Sequence, residues 1–361
     1  MYFFKILTIM SVYIQSIKQI SFQKPLCEQW LEQAVFVNAN YNEAKDPDFK
    51  PYFSPMEARR MGKLIKRAIA TSSEAIKEAG LKNVDSIVVG SGFGCLENTE
   101  KFLLALIEQD EQNLQPTPFI QSTYNTIASQ IAIYMKNHCY NSTYSQQGLS
   151  FESALFDTFL QLQLHKFNNS LVGAHEEMPS TFFKWFQQLG TWKDEPIDVA
   201  TLKQGKSRGS IFGNCAVSMV ISNQNNDKTI CKIQSMKLFH QPDDKDFYKN
   251  LKAILTEADL QLEDISAVIM SYNGDCENDH FCNHYANTFF SSLPILWYKH
   301  LFGESLSASS FGVYVGAKCL QYQKIPQHLF YKNEHPINHP KNILVHNHFK
   351  NQDHSLILLS C

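Results

Sequence analysis

The chain has 361 residues, of which 44% are hydrophobic and 19% are charged, and its formal net charge is -3. This composition is typical of a globular protein with one large core or two fused cores, and it argues against extended disorder. There is no basic excess to attract nucleic acid, and no apolar run reaches the length of a membrane span.

The opening stretch, MYFFKILTIM, is apolar but carries a single charge, Lys5, and no small-residue cleavage site follows it. We expect a short overhang before a strand in SVYIQSIKQIS rather than a secretory signal, and whether residues 1–10 belong to the mature protein stays open. The nine cysteines are scattered and never spaced as Cys-x-x-Cys. That pattern favours reduced thiols in a cytoplasmic protein.

Helices and strands alternate along the first half of the chain. Ser54 and Pro55 are a typical helix start, and the helical period continues to Gly80. The apolar patterns predict strands at 85–90, 140–145 and 169–177, helices at 96–110 and 150–167, and a loop that turns into a helix within 117–136. At Gly148 a strand turns tightly into a helix, and such an elbow is where many enzymes hold a nucleophile.

The second half repeats this plan. DISAVIMSYNGD is a buried strand that ends in a loop, as VDSIVVGSGFG is, and NILVHNHFK with SLILLS mirrors SLVGAHEE with CAVSMVISN. A weak internal duplication of this kind predicts two similar α/β halves packed together. We place the seam near residues 223–228, which divides the chain into domains at 1–225 and 226–361.

Four stretches carry a family resemblance: ARRMGKLIKRAIATSSEAIKEAGL, PFIQSTYNTIASQIA, GSIFGNCAVSMVIS and KHLFGESLSASSFG. Together they resemble the β-ketoacyl-acyl carrier protein synthases, or ketosynthases. More narrowly, the chain resembles short ketosynthase-like and chain-length-factor proteins of aryl-polyene and flexirubin-type pathways. The resemblance implies a thiolase-like α/β fold in which two related βαβ halves form α/β/α/β/α layers, in a dimer and without a cofactor.

A ketosynthase needs a cysteine at a helix N-terminus to take the acyl chain and two histidines to assist decarboxylation. Counting from the family's motifs places Gly148 in the cysteine's position. The histidine loops place Asn273 and Glu304 in the two histidine positions, while Lys299 and Phe349 match the family's lysine and gate phenylalanine. A carboxylate at Glu304 would repel a malonyl carboxylate unless Lys299 neutralises it. The resemblance therefore implies that condensing activity is lost and that no catalytic residue remains.

A shift of one residue would put Gln147 in the cysteine's position, which is the residue that chain-length factors carry there. On this resemblance the candidates for an acyl tunnel are Tyr144, Gln147, Ser150 and Phe349. The basic stretch on the first helix holds the candidates for docking an acidic carrier protein or a partner subunit, although a solvated helix face is an equal interpretation. Its members are Arg59, Arg60, Lys63, Lys66 and Arg67.

Other interpretations of these residues stay open. An acyltransferase or hydrolase could use a site near Ser145 or Ser150, although Ser150 is better explained as the N-cap of its helix. Zinc ligation by Cys276, His280, Cys282 and His284 is disfavoured by their spacing, and we expect no metal. GSGFGC lacks the third glycine of a dinucleotide fingerprint.

The prediction is a catalytically degenerate ketosynthase-like subunit of fatty acid or polyene biosynthesis. It pairs with an active ketosynthase, or with itself, and acyl carrier protein is a further partner. A structural homodimer without an acyl ligand is the remaining alternative.

Overall fold

The computed structural model describes residues 11–361. Eleven strands of this part form one sheet, in the order β11-β10-β9-β12-β13-β8-β1-β7-β5-β3-β4, and β2 pairs with β6 separately. The strands are β1 (Val12–Ile20), β2 (Tyr41–Asn42), β3 (Ser86–Gly90), β4 (Tyr140–Tyr144), β5 (Asn169–Glu176), β6 (Phe212–Gly213), β7 (Cys215–Ser222), β8 (Cys231–His240), β9 (Ala267–Met270), β10 (Ile295–Leu296), β11 (Phe330–Lys332), β12 (Asn342–Phe349) and β13 (Asp353–Ser360).

Helices connect these strands on both sides of the sheet. They are α1 (Pro55–Arg60), α2 (Lys63–Glu78), α3 (Leu96–Glu108), α4 (Pro116–Ser122), α5 (Thr126–Met135), α6 (Ser150–Gln163), α7 (Ser180–Gln188), α8 (Val199–Gln204), α9 (Asp244–Glu257), α10 (Cys276–Phe289), α11 (Lys299–Phe302) and α12 (Ser309–Gln321).

The sheet contains the same five-strand arrangement twice. The orders β4-β3-β5-β7-β1 and β10-β9-β12-β13-β8 match position by position, and each set joins three parallel strands to two antiparallel ones. This confirms the predicted related halves. The predicted seam lies in the loop between β7 and β8. The division into two domains at 225/226 stays a prediction, because β1 pairs with β7 and also with β8.

Three apolar clusters define the layers. Helices α2 and α5 cover the outer face of the first strand set, and α9 and α10 cover the outer face of the second. Between the two sets lie α6 and α12, whose Phe151, Leu155, Phe311 and Val315 are fully buried in the central cluster. The α/β/α/β/α architecture is therefore the one expected.

The predicted helix from residue 55 to 80 is broken. Ser54 caps α1 as expected, with Glu57 completing a capping box, but Met61 is extended at φ -106 and ψ 135 and α2 begins after Gly62. A glycine weakens a helix interior. Its small size also matters here, because a Cβ on Gly62 would lie 3.1 Å from Asn98 Nδ2. The helical periodicity of the sequence continues through Met61 and Gly62 and therefore misses this boundary.

The apolar opening at residues 1–10 lies outside the described residues, while the strand expected after it is β1. None of the helices in residues 11–361 combines the length and apolar character needed to cross a bilayer.

Candidate functional site

A cavity of about 1250 Å³ opens where both strand sets end. Its walls come from segments that follow the carboxyl ends of β3, β4, β5, β9 and β12, which is where open α/β sheets bind ligands. The cavity brings together seven of the residues singled out from the sequence: Ser145, Gln147, Gly148, Asn273, Lys299, Glu304 and Phe349. The duplicated topology therefore gathers residues that are far apart in the chain.

The elbow between β4 and α6 presents Gln147 rather than Gly148. Gln147 is exposed, has a positive φ of 46 and lines the cavity. Gly148 is buried, and a Cβ built on it would lie 2.5 Å from Phe349 Cγ and 2.7 Å from Phe349 Cβ. The Phe349 side chain therefore occupies the space that a side chain at position 148 would need.

Asn273 and Glu304, which we predict to stand in the two histidine positions, form a hydrogen-bonded cluster with Lys299. Glu304 Oε2 accepts from Lys299 Nζ at 2.6 Å and from Asn273 Nδ2 at 2.7 Å, and its Oε1 accepts from the Ser305 N–H. Lys299 is 3% exposed. The ion pair expected between Lys299 and Glu304 is present. Both oxygens of the Glu304 carboxylate thus accept hydrogen bonds from within the protein.

The loop that carries Asn273 is held from several sides. Asp279 accepts from the N–H groups of Asn273 and Gly274, and burial raises the pKa of its carboxyl to about 6. Lys193 donates to the Gly274 carbonyl at 3.0 Å, and burial lowers the pKa of its ammonium. Asn273 Oδ1 accepts from the Asp275 N–H at 3.0 Å. The amide of Asn273 is therefore fixed towards Glu304.

Two buried acids at the end of β5 line the cavity and were not singled out from the sequence. Glu176 accepts from the Gly92 N–H and from Ser307 Oγ, and Glu177 accepts from the Glu97 N–H at 3.0 Å. Burial raises the pKa of both carboxyls to about 7. The sequence signal that could have found them is the pair of consecutive acids at the end of an apolar strand.

A third buried acid, Glu152, connects the helix after the elbow to neighbouring strands. Glu152 Oε1 accepts from Asn347 Nδ2 at 2.7 Å and from Ser355 Oγ at 3.2 Å, and burial raises the pKa of its carboxyl to about 7. This links α6 to the β12–β13 hairpin that carries Phe349. The position of the ring above Gly148 is thus set by the hairpin.

Two of the tunnel candidates do not line the cavity. Tyr144 packs against the central apolar cluster near Asp157, which lies in α6, and burial raises the pKa of its hydroxyl to about 12. Ser150 is fully buried, and its hydroxyl donates to the Gln147 carbonyl and accepts from the Gln146 N–H. The Ser150 hydroxyl therefore stabilises the turn formed by Gln146 and Gln147. The predicted N-cap role of Ser150 is wrong, because α6 has no side-chain cap and begins at Ser150 itself.

The cysteines and histidines considered for zinc lie apart. Cys282 is buried against His348 at 3.3 Å, while His284 pairs with Asp244 at the surface. In residues 11–361 no three His, Cys, Asp or Glu side chains are placed to hold a metal ion. All nine cysteines are free, and no described cysteine lines the cavity.

Only part of the basic stretch is exposed to solvent. Arg59, Arg60 and Lys63 are exposed and Lys66 is half-buried. Arg67 is 2% exposed and its Nε donates to Asp46 Oδ1 at 2.5 Å. Arg67 is therefore unavailable for docking, because its guanidinium is buried against Asp46 and the Ala44 carbonyl.

The geometry agrees with a comparison against known families. The family model described as Beta-ketoacyl synthase, N-terminal domain, matches residues 28–264. The chain belongs to the β-ketoacyl synthase family. A search of the curated proteins found no match.

Three solved structures share the whole fold. The ishigamide ketosynthase/chain length factor aligns with a TM-score of 0.78 and 13% identity, covering 98% of this chain and 99% of that chain. A β-ketoacyl synthase from Burkholderia phymatum STM815 gives 0.77 and 16%, with coverage of 98% and 100%. AntDE:AntF, a type II PKS acyl-carrier protein in complex with its ketosynthase bound to the hexaketide, gives 0.77 and 12%, with coverage of 98% and 99%. At these identities the likeness establishes the thiolase-like fold.

Proposed function

We propose that this β-ketoacyl synthase family member is a non-condensing subunit that pairs with an active ketosynthase and shapes the cavity for a growing acyl chain, as a chain-length factor does. The observation that carries the proposal is the Lys299–Glu304–Asn273 cluster. A condensing site needs groups that take up or stabilise charge at the substrate. Here we place an amide and a carboxylate in those positions, and both oxygens of the carboxylate already accept hydrogen bonds from the protein.

The elbow supports the same function. Gly148 offers no side chain, Phe349 fills the space above it, and no cysteine among the described residues lines the cavity. We place Gln147 in the position of the family's nucleophile, because it is the residue that the elbow exposes to the cavity. An amide there can donate a hydrogen bond to an acyl carbonyl but cannot form a thioester.

A partner surface is available beside the elbow. The strand β4 is the edge of the sheet, and an edge strand leaves backbone groups free to pair with another chain. Around it Ile133, Tyr140, Leu160 and Leu164 are large exposed apolar side chains. Two of the structural neighbours are described as a ketosynthase/chain length factor and as a ketosynthase in complex with an acyl-carrier protein, which supports partners of both kinds.

Intact-mass analysis tests the missing nucleophile. The purified chain, incubated with acyl-carrier protein loaded with an acyl group, is expected to gain no covalent adduct, while an active ketosynthase treated in parallel becomes acylated. An adduct that maps to Ser145 or to the elbow would replace this proposal with the acyltransferase or hydrolase alternative.

Co-expression tests the partner. We expect a ketosynthase encoded beside this chain to co-purify with it and to raise its solubility. Variants that narrow the cavity, such as Leu306→Phe, are expected to shorten the products of the pair, since Leu306 lines the cavity. A stable monomer that binds neither ketosynthase nor carrier protein would contradict the proposal.

A further inference from the structure

A second, smaller pocket of about 400 Å³ lies outside the cavity, where the turn between α1 and α2 meets α3 and α4. Five cationic side chains from three helices line it: Arg59, Arg60, Lys63, Lys66 and Lys101. One acid, Glu97, lines it too and pairs with Lys101 at 2.7 Å. The pocket therefore has a positive excess that its own acid does not cancel.

Three of these cations are without an acidic partner in the described residues. Arg59, Arg60 and Lys66 form no ion pair in residues 11–361, while Lys63 pairs with Glu43 at 2.7 Å in an exposed contact. Exposed ion pairs of the latter kind contribute little free energy and exchange readily with another anion. Arg59 and Arg60 are thus available to a ligand, and Lys66, whose Nζ lies 5.7 Å from the centroid of the Phe49 ring, has no acidic partner to give up.

The break between α1 and α2 adds backbone donors. Because the chain is extended at Met61, a new helix, α2, starts inside the pocket. Its N-cap is Gly62, which has no side chain to bond the first N–H groups of the helix. The helix runs for 16 residues, so its first N–H groups and its dipole favour an anion at this end.

An unpartnered buried amide points to a ligand independently of the helix end. Asn98 is only 6% exposed and lines the pocket, yet its side chain forms no hydrogen bond with any residue of the described part. Its Nδ2 lies beside Gly62. The Asn98 amide is therefore a polar group without a protein partner that is free to bond a ligand in the pocket.

We propose that this pocket binds a phosphate group, held by the guanidinium groups of Arg59 and Arg60, Lys66 Nζ, Asn98 Nδ2 and the N–H groups at the start of α2. Phosphate suits this donor set because it presents several acceptor oxygens to donors that converge from different directions, whereas a carboxylate presents two. The proposal stands on the pocket alone and does not rest on the proposed function. The phosphate belongs either to a small phosphorylated molecule or to the phosphopantetheine arm of a carrier protein.

Isothermal titration with inorganic phosphate, against chloride at equal ionic strength, measures the site directly. We expect saturable binding to the full chain that weakens at least tenfold in Asn98→Leu and in the double variant Arg59→Gln/Lys66→Gln. Lys77→Gln, which removes an exposed charge near the far end of α2, serves as the matched control and should bind as the wild type does. Circular dichroism verifies that each variant is folded. If Asn98→Leu does not fold, the phosphate affinity of the double variant Arg59→Gln/Lys66→Gln is the test.

The source of the phosphate follows from two further titrations. Tighter binding of coenzyme A than of its 3′-dephospho form identifies a small molecule, and tighter binding of holo-carrier than of apo-carrier protein identifies the arm. Either preference should vanish in Asn98→Leu. No saturable phosphate binding, or equal binding by wild type and both variants, would overturn the proposal. Equal binding of apo- and holo-carrier without phosphate binding would show instead that the patch docks acidic side chains.

Discussion

The ion pair between Lys299 and Glu304 shows how single residues set the chemistry of the cavity. Both side chains line the cavity with little exposure to solvent, and Lys299 Nζ lies 2.6 Å from Glu304 Oε2. Taking one partner away leaves the other as an uncompensated charge in a poorly solvated place. We therefore expect the pair to stabilise the fold, at a position that we predict to correspond to a histidine of the family.

Replacing Lys299 with Met should lower the free energy of unfolding by about 3 kcal/mol, because Glu304 then keeps its charge without the ammonium. Urea denaturation measures this. The matched double variant Lys299→Met/Glu304→Gln removes both charges and should lose less than the sum of the single losses. A double variant that loses the full sum would mean that the pair is not coupled.

Positions 147 and 148 differ in whether they have room for a cysteine side chain. Gln147→Cys has room at the exposed elbow, whereas the Cβ of Gly148→Cys overlaps Phe349 and should cost about 1–3 kcal/mol of stability. A cysteine at 147 is expected to react with iodoacetamide much faster than one at 148, as mass spectrometry of the labelled peptide measures.

Neither variant should condense substrate, because Asn273 and Glu304 still stand in the histidine positions. Condensation by Gly148→Cys alone would mean that the histidine positions have been placed wrongly. Faster labelling at 148 than at 147 would reverse the assignment of the elbow.

At the scale of elements, the β12–β13 hairpin carries three buried histidines in contact. His346 Nε2 lies 3.3 Å from His354 Nδ1, and the rings of His348 and His354 are centred 5.6 Å apart. Burial lowers the pKa of all three, that of His354 to about 4. The charged groups nearby are Lys299, Asp353 and His240. The hairpin is therefore built around neutral imidazoles.

This makes the stability of the protein sensitive to acid. In the unfolded chain His354 takes up a proton near pH 6.5, but in the folded chain only near pH 4, so its contribution is present above pH 6.5 and is lost as the pH falls towards 4. The loss amounts to about 3 kcal/mol at most. Chemical denaturation of wild type and His354→Phe from pH 7.5 to 4.5 should give curves that converge towards acid.

The informative quantity is the difference in the free energy of unfolding between the wild type and His354→Phe at each pH. Glu152, Glu176 and Glu177 have pKa values raised to about 7, so their contribution declines as the pH rises from 4.5 to 7 and opposes that of the histidines in the wild type. The exposed His138 provides the control, since His138→Gln removes an imidazole that lies outside the buried cluster. A difference curve that is flat with pH would contradict the role of His354.

At the scale of the whole molecule, the continuous sheet ends on the exposed edge of β4. Charges introduced beside this edge, as in Ile133→Lys/Leu164→Lys, should weaken association with a ketosynthase or with a second copy by more than tenfold, because obligate interfaces depend on a large apolar area. Light scattering and co-purification measure this. Tyr248→Lys removes an equally exposed aromatic on α9, far from the edge, and should associate normally. Equal behaviour of both variants would move the interface elsewhere.

The fold was predictable because its pattern is local and repeated. Buried strands that end in loops, elbows at a small residue and the capping box at Ser54 are all readable from neighbours in the sequence. The predicted correspondence between the strand pairs β5–β7 and β12–β13 is confirmed by their identical pairing. The helix break at Met61 escaped prediction because the helical periodicity runs through it without interruption.

The sequence by itself determined the two α/β halves and the family, since these follow from residue identity and spacing. Only the tertiary structure decided which side chains meet. Phe349 covers Gly148 from about 200 positions away, Arg67 turns inward to Asp46, and Glu176 and Glu177 enter the cavity wall. Burial and side-chain direction arise from contacts between distant segments, and a pattern along one chain does not contain them.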